Sequence, residues 1–298
     1  MARYRKFGLL PIIKAYRSKI IITWAMIVIE NILIASIPLV IGIAIDQLIE
    51  GNTETIGYFA FIMLLLIVIS AGRRMYDTRA FGKIRVDLGS EVEKRFHSLS
   101  ISVQNARIEL SRELVDFLEN ELPELFTAII QLVVGFVILI SFKIELGIAS
   151  LALIIGMMIC YSFAHGIFYK LNANWNNQAE KQVNILNRKT NYQLIRHLNK
   201  LKLWEIKISD TEAIVYGVIF VLIALFMGYN LLESASIADP KPGVIFTIIS
   251  YSWGFSEAGL ALPVALQNMS RLWEISERLN SQPKPVEKPI DVAASSNL

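Results

Sequence analysis

The chain has 298 residues, of which 54% are hydrophobic and only 18% charged, and its mean hydropathy is +0.49. Soluble globular proteins carry about 25% charged residues, so this composition excludes an ordinary soluble domain. The net charge of +3 does not by itself indicate a partner. Cys160 is the only cysteine, which excludes an intramolecular disulfide and a cysteine metal cluster.

Six apolar blocks divide the sequence. Most of them approach or exceed the ~20 residues that an α-helix needs to cross ~30 Å of hydrocarbon. Apolar and polar residues do not alternate within them, as they would in the strands of a membrane barrel, so the blocks predict helices. The first block is much longer than the core of a signal peptide, and we interpret it as a retained helix. The six blocks cover residues 20–45, 56–71, 126–142, 146–168, 213–232 and 243–263.

The basic residues lie almost entirely on one side of these blocks. Of the 29 lysines and arginines, only Lys143 and Lys241 fall in the three short loops, and the other 27 fall in the termini and the two long loops. Because lysine and arginine accumulate on the cytoplasmic side, both termini and both long loops are predicted to be cytoplasmic. We therefore expect a multi-pass protein of the bacterial cytoplasmic membrane, with lipid as its first partner.

The two long cytoplasmic loops are predicted to be helical, since apolar residues recur in them at helical spacing. After Asn280 the sequence becomes rich in proline and then in small residues. We therefore predict a six-helix transmembrane domain over residues 1–280 and a flexible tail over residues 281–298. The apolar residues that carry the helical pattern are Ile84, Leu88, Val92, Phe96 and Leu99 in the first loop and Val183, Leu186, Leu194, Leu198 and Leu201 in the second.

The arrangement of these helices and four local stretches resemble the membrane domain of ABC exporters. The stretches are RVDLGSEVEKRFHSL at 85–99, RELVDFLENELP at 112–123, PGVIFTIISY at 242–251 and SRLWEISERL at 270–279. The resemblance covers residues from about 12 to 280. It implies an all-α membrane protein of six spans with long cytoplasmic helical extensions. It also implies a homodimer, in which helices four and five reach across to the partner and helices one and six line a central cavity.

Exporters of this family normally carry a nucleotide-binding domain after the sixth helix, and we expect this chain to lack one. The phosphate-binding pattern G-x-x-x-x-G-K-[ST] does not occur: Gly82 and Lys83 lack both the earlier glycine and the following serine or threonine. We therefore expect no ATPase or other enzymatic activity and no cofactor. The histidines show no metal-ligand spacing, so no metal site is expected either.

Two carboxylates fall inside the predicted spans, Glu30 in the first and Glu257 in the sixth. At 1.5 Å per residue, Glu30 lies about 15 Å from the cytoplasmic end of its helix and Glu257 about 21 Å from the outer end of its own. An ionised carboxylate at such a depth needs a wet cavity, a partner cation or a proton. Either both glutamates face a cavity that attracts a cationic or amphipathic solute, or each is a protonated or hydrogen-bonded core residue, for instance with Asn31 or Gln131.

Aromatic residues next to Glu257 have two interpretations as well. Tyr251 and Trp253 either contact an aromatic solute or pack against lipid and neighbouring helices. The basic residues of the long loops are interleaved with acidic ones, so we expect no nucleic-acid partner. The candidate cavity residues are Glu30, Asn31, Gln131, Tyr251, Trp253 and Glu257.

The function we favour at this point is transport, or at least binding, of a small amphipathic or cationic solute without built-in ATP hydrolysis. Proton coupling at the two glutamates or the gradient of the solute itself would supply the energy. One alternative is the membrane subunit of a split ABC transporter, whose separate ATPase subunit docks around residues 100–107 and 187–202. Another is a non-transporting membrane scaffold or assembly factor.

Overall fold

The protein is described by a computed structural model that covers residues 8–187, 191–237 and 240–280. The predicted tail over 281–298 therefore lies outside the described residues. The described chain is helical, with a short π-helical segment at Phe117–Glu121 between the fourth and fifth α-helices. The α-helices are α1 Leu9–Ala15, α2 Arg17–Ile49, α3 Glu54–Phe96, α4 Ile101–Asp116, α5 Leu122–Phe142, α6 Ile144–Ala179, α7 Gln182–Asn187, α8 Asn191–Ala235 and α9 Pro242–Asn280.

Each of the six predicted apolar blocks lies within a single helix. Within the described residues, five continuous helices are long and apolar enough to cross a membrane: α2, α3, α4 with α5, α6 and α8. The protein is thus an all-helical, multi-pass membrane protein. Helix α9, which contains the block 243–263, does not belong to this group, because several serines and Glu257 dilute its apolar residues. The sixth span and the cytoplasmic position of the helical extensions stay predictions.

The contacts divide the chain into two compact units, and α2, α3 and α9 each contribute residues to both. The first unit contains residues up to 25, 72–123 and from 266 onward. Its interior is mostly aliphatic. Two hydrogen bonds, one buried and one partly buried, join α3 to the N-terminal part of the chain. The Tyr16 hydroxyl donates to Asp87 (2.8 Å), and the Thr23 hydroxyl donates to Asp77 (2.6 Å). The side chains with almost no exposure are Ile12, Ile20, Phe81, Ile84, Leu88, Leu114 and Leu118.

An ion-pair network connects α3 to the end of α4 in the same unit. The Arg85 guanidinium donates from Nε to Asp116 (2.8 Å) and from Nη2 to both Asp116 and Glu119. The Glu119 side chain is 15% exposed, whereas that of Asp116 is 50% exposed. Water can therefore solvate Asp116 without the arginine, but Glu119 depends on it for neutralisation.

The π-helical segment next to this network has a cause in the sequence. Pro123 has no N–H and its ring would clash with the carbonyl of Glu119 in a regular α-helix. The backbone widens by one residue just before the proline, and the N–H of Leu122 bonds to the carbonyl of Phe117, five residues earlier. The helix thus continues past the proline, so α4 and α5 are parts of one continuous helix from Ile101 to Phe142.

The second unit contains residues 26–71 and 124–265. Helices α5, α6, α8 and α9 enclose its apolar core, which includes the rings of Phe226 and Phe255 with their centroids 6.2 Å apart. The N-terminus of α9 crosses α2 very closely. A Cβ added at Gly243 would lie 1.9 Å from the carbonyl oxygen of Gly42, so only glycine allows this approach. The fully buried members of the core are Leu139, Leu146, Ile219 and Ile248. The nearly buried ones are Leu153, Met157, Ile223, Phe226, Tyr251 and Phe255.

The glycine contact gives a first prediction. Gly243→Ala should destabilise the protein by about 1–3 kcal/mol, because the new methyl group forces α9 away from α2. The thermal unfolding temperature of the purified protein in detergent measures the effect. Gly82→Ala is the control, since a Cβ there meets nothing within 4 Å and alanine favours a helix. A Gly243→Ala protein as stable as wild type would contradict the close crossing.

The Arg85 network gives a second prediction. Arg85→Met should lower the free energy of unfolding by about 1–3 kcal/mol, because it leaves the Glu119 carboxylate largely buried without a cation. The double variant Arg85→Met/Glu119→Gln should recover much of this loss in the same thermal assay. The pair Arg85→Met/Asp116→Asn should recover less, since Asp116 is half exposed. Equal rescue by the two second substitutions would show that burial of Glu119 is unimportant.

Candidate functional site

Helix α9 has a packed side and an open side within the second unit. Its packed side carries Phe255, Ser252 and Ser256, all nearly or fully buried. Its open side carries Trp253, which is 59% exposed, and Glu257, which is also exposed. Residues four apart lie on the same face of a helix, so the indole and the carboxylate are neighbours on this surface. Sequence reasoning identified both residues, and the structure assigns them one face.

Glu257 has no hydrogen-bond or ion-pair partner among the described residues. An unpaired carboxylate on a helix in hydrocarbon costs several kcal/mol, about 2.5–3.5 on insertion scales for aspartate. The cost falls when a cation, a proton or water reaches the group. The open face of α9 therefore offers a carboxyl group without a partner from the described chain.

Tyr251 lies on the other side of the same helix. It is two residues from Trp253, or about 200° around the helix axis, and it is buried in the apolar core. Its hydroxyl donates to the carbonyl of Ala35 on α2, and the Thr247 hydroxyl donates to the carbonyl of Pro38 at 3.3 Å. The structure thus gives Tyr251 a packing and hydrogen-bonding environment. Its predicted contact with a solute stays a prediction.

A second cluster of polar side chains lies around the middle of α2. Glu30 accepts a hydrogen bond from the Ser70 hydroxyl on α3. Asn31 is 4% exposed, and its Nδ2 donates to the carbonyl of Ile27 (2.9 Å) and to the Thr127 hydroxyl on α5 (3.0 Å). The Oδ1 atom of Asn31 is buried without a hydrogen-bond partner in the described chain. Sequence reasoning missed Ser70 and Thr127, because serine and threonine inside apolar blocks carry no local signal of their partners.

Gln131 lies one turn after Thr127 on α5 and is partly buried, without a hydrogen-bond partner among the described residues. One turn further, Gly135 allows α9 to approach, since a Cβ there would lie 3.3 Å from the Phe255 ring. Helices α2, α5 and α9 therefore pack against one another, joined by the Asn31, Tyr251 and Gly135 contacts. The predicted candidates lie on these three helices.

The predicted ATPase-docking stretches have different structures. Ile101 begins α4 and is 85% exposed, directly after the turn that follows α3. In the other stretch, residues 188–190 lie outside the described residues. There α8 packs on α6 through Gln178, whose side chain is 2.7 Å from Nδ1 of the buried His197, and the Trp175 indole donates to Glu205 at 3.2 Å. Among the described residues, no group of three or more His, Cys, Asp or Glu side chains is arranged to hold a metal ion.

The fold defines an α-helical, multi-pass membrane protein. Residues 9–239 match the family described as ABC transporter transmembrane region, so the chain belongs to that family. Among solved structures it is similar to a bacterial Atm1-family ABC exporter with ATP bound, with 13% sequence identity and a TM-score of 0.61. The match covers 92% of this chain and 55% of the exporter, so the chain spans about half the length of that protein. No curated protein matched the sequence.

Proposed function

We propose that the chain forms half of a solute pathway and that its solute is a small amphipathic or organic cation bound at Trp253 and Glu257. The observation that carries the proposal is the exposed Glu257 carboxylate, which has no partner among the described residues and shares a helix face with an exposed indole. Membership of the ABC transporter transmembrane region family supports a role in transport. The solute class is the part that the family does not specify.

The chemistry of the two side chains suits a cation with an apolar body. The carboxylate supplies a counter-charge, and the face of an indole attracts a cation by about 0.5–2 kcal/mol, more when water is excluded. An anion or a strongly hydrated metal ion would gain little from the indole. A neutral solute would leave the carboxylate unneutralised in hydrocarbon.

We propose further that the pathway forms between two copies of the chain, with six spans each. The part of α8 that precedes the apolar block 213–232 exposes large apolar side chains, among them Tyr192, Ile195 and Leu198. Extended apolar surface of this kind indicates a protein contact, and a second copy would cover it. The basic-residue distribution supports an orientation with both termini in the bacterial cytoplasm.

Exchange of a proton for the cation on the same carboxylate would couple the proton gradient to transport. Glu257 cannot stay ionised and unpaired in hydrocarbon at low cost, so a proton would replace the solute when it leaves. Glu30 would take part from α2, where it already accepts a hydrogen bond from Ser70. Under this mechanism the chain moves solute without hydrolysing ATP itself.

The test is ATP-free uptake of a fluorescent organic cation into proteoliposomes with an imposed proton gradient. Glu257→Gln should reduce gradient-driven uptake at least tenfold, which corresponds to about 1.4 kcal/mol of lost interaction. Glu30→Gln should change how strongly uptake depends on the proton gradient. Glu54→Gln, an exposed carboxylate in the first turn of α3, is the matched control and should leave uptake unchanged. Wild-type uptake by both Glu257→Gln and Glu30→Gln at every gradient would overturn the coupling mechanism.

A second candidate is a membrane subunit driven by an ATPase on another chain. The exposed Ile101 at the tip between α3 and α4 favours it, because a large aliphatic side chain in water there indicates a docking contact. In this case ATP hydrolysis by the partner, and not the proton gradient, would drive uptake.

Ile101→Asp separates the two candidates. In membrane vesicles from the native host, it should abolish ATP-dependent uptake and the co-purification of a nucleotide-binding subunit if that subunit docks at Ile101. Val86→Asp is the matched control, since Val86 is also an exposed aliphatic residue of the first unit. Unchanged ATP-dependent uptake in Ile101→Asp would exclude this docking site. Absence of uptake under both energy sources would favour the scaffold alternative.

A further inference from the structure

A groove at one end of the α6–α8 pair forms a small cavity. It has a volume of about 260 Å³ and is lined by Glu145, Ile148 and Ala149 of α6 and by Tyr229 of α8. Pockets that hold a whole drug-sized ligand have volumes of about 300–1,000 Å³. This groove is therefore large enough for a head group or the end of a chain, but too small for a complete amphipathic solute. It does not involve the residues of the proposed solute pathway.

The polar part of the groove carries the Glu145 carboxylate, which interacts electrostatically with Lys143. Glu145 lies in the first turn of α6 and has no hydrogen-bond or ion-pair partner among the described residues. Lys143, two residues earlier, forms an ion pair with Glu233 and donates to the Ser236 hydroxyl at 2.9 Å. The hydrogen bond with Glu233 raises the pKa of Lys143, so this ammonium stays charged at neutral pH. Two of its three N–H donors are engaged, and one remains for another acceptor.

The apolar part of the groove is formed by Ile148 and Ala149 of α6. Both α6 and α8 are long and apolar enough to cross a membrane, and Ile148 is largely exposed. Tyr229 lies four residues before Glu233, at the end of the apolar block of α8. Tyrosine is enriched where hydrocarbon meets the head-group layer, which is the depth that this arrangement indicates. An occupant would therefore have a charged end at Glu145 and an apolar end beside Ile148.

We propose that this groove binds one zwitterionic phospholipid with a primary ammonium head group, in the leaflet that the basic-residue distribution predicts to be the outer one. The ammonium lies at the Glu145 carboxylate and against the Tyr229 ring, where the carboxylate and the ring both attract a cation. The phosphate receives the remaining N–H of Lys143, and an acyl chain follows Ile148. A carboxylate and an ammonium two residues apart complement the two opposite charges of such a head group. A purely anionic lipid would meet Glu145 with repulsion.

A simpler role for Glu145 makes a different prediction. An acidic residue in the first turn stabilises a helix by about 0.3–1 kcal/mol through the helix dipole, without any ligand. Glu54 occupies the same position in α3, is exposed and lies on the same predicted side of the membrane, but does not line this groove. Loss of the dipole effect alone would make Glu145→Gln and Glu54→Gln behave alike.

Native mass spectrometry of the full chain tests the proposal. The protein is extracted from bilayers that contain equal amounts of phosphatidylethanolamine and phosphatidylglycerol, and the retained lipids are counted. Wild type should retain one phosphatidylethanolamine in preference to phosphatidylglycerol. Glu145→Gln should reduce this preference at least fivefold, corresponding to about 1 kcal/mol, and Glu54→Gln should not change it. Ala149→Trp, which fills the groove and keeps the charge, should reduce retention of the phosphatidylethanolamine as well.

Three outcomes would overturn the proposal. They are an unchanged lipid preference in Glu145→Gln, an equal loss of preference in Glu54→Gln, and full retention of phosphatidylethanolamine in Ala149→Trp. The unfolding temperature of each variant is measured in parallel, so that loss of the fold is not mistaken for loss of the lipid. Because uptake of organic cations depends on Glu257 and not on this groove, the lipid result and the transport result can fail independently.

Discussion

The rest of this structure depends on the absence of water from hydrocarbon. Backbone N–H and C=O groups that lie in a bilayer must bond to one another, and a helix does this within its own segment. That constraint explains why every apolar block is helical. It also explains the detail at Pro123, where the missing N–H does not end the helix, because a π-helical turn carries the chain past it. Side chains are subject to the same constraint, so each buried polar atom needs a partner.

Helix α9 shows how the chain satisfies several of these polar atoms within the described residues. The hydroxyls of Ser252, Ser256, Thr247 and Tyr251 donate to carbonyl groups of α9 itself or of α2. Ser252 also accepts a hydrogen bond from Asn230 on α8 (2.7 Å). These bonds and the Gly42–Gly243 crossing fix one side of the helix in the second unit. Glu257 is left on the other side without such a partner. A helix that is fixed on one side and charged on the other is suited to present a binding group to a solute.

The sequence was sufficient to predict the helices, since length and hydropathy determine where a chain can cross a bilayer. The helical pattern from Ile84 to Phe96 correctly predicted that α3 continues well beyond its apolar block. Polar partners were not predictable, because Glu30 and Ser70 are 40 residues apart and Tyr251 and Ala35 are 216 apart. Such contacts depend on which helices become neighbours, and a single sequence read by itself contains no information on that. The same limit applies to the crossing at Gly42 and Gly243, because nothing in the sequence distinguishes these glycines from others in apolar blocks.

The candidate site was predicted in part. Glu257 and Trp253 were identified from their chemistry, and their common exposed face follows from helical geometry. Tyr251 was identified for the same reason, but its ring belongs to the packed core, since a shift of two residues moves a side chain to the other side of a helix. The buried, unbonded Oδ1 of Asn31 was not predictable, because its surroundings depend on which helices pack around α2.

The π-helical segment also affects how the length of this chain can vary. A π turn accommodates one more residue than an α-helical turn while the flanking helix keeps its orientation. Loss of one residue between Phe117 and Glu121 would therefore restore α-helical spacing and bring the ring of Pro123 against the carbonyl four residues before it. The same loss in the middle of α5 would rotate one end of the helix by about 100° against the other. The extra residue in 117–121 is thus tied to Pro123, and the chain can lose one without a kink only if the proline is replaced as well.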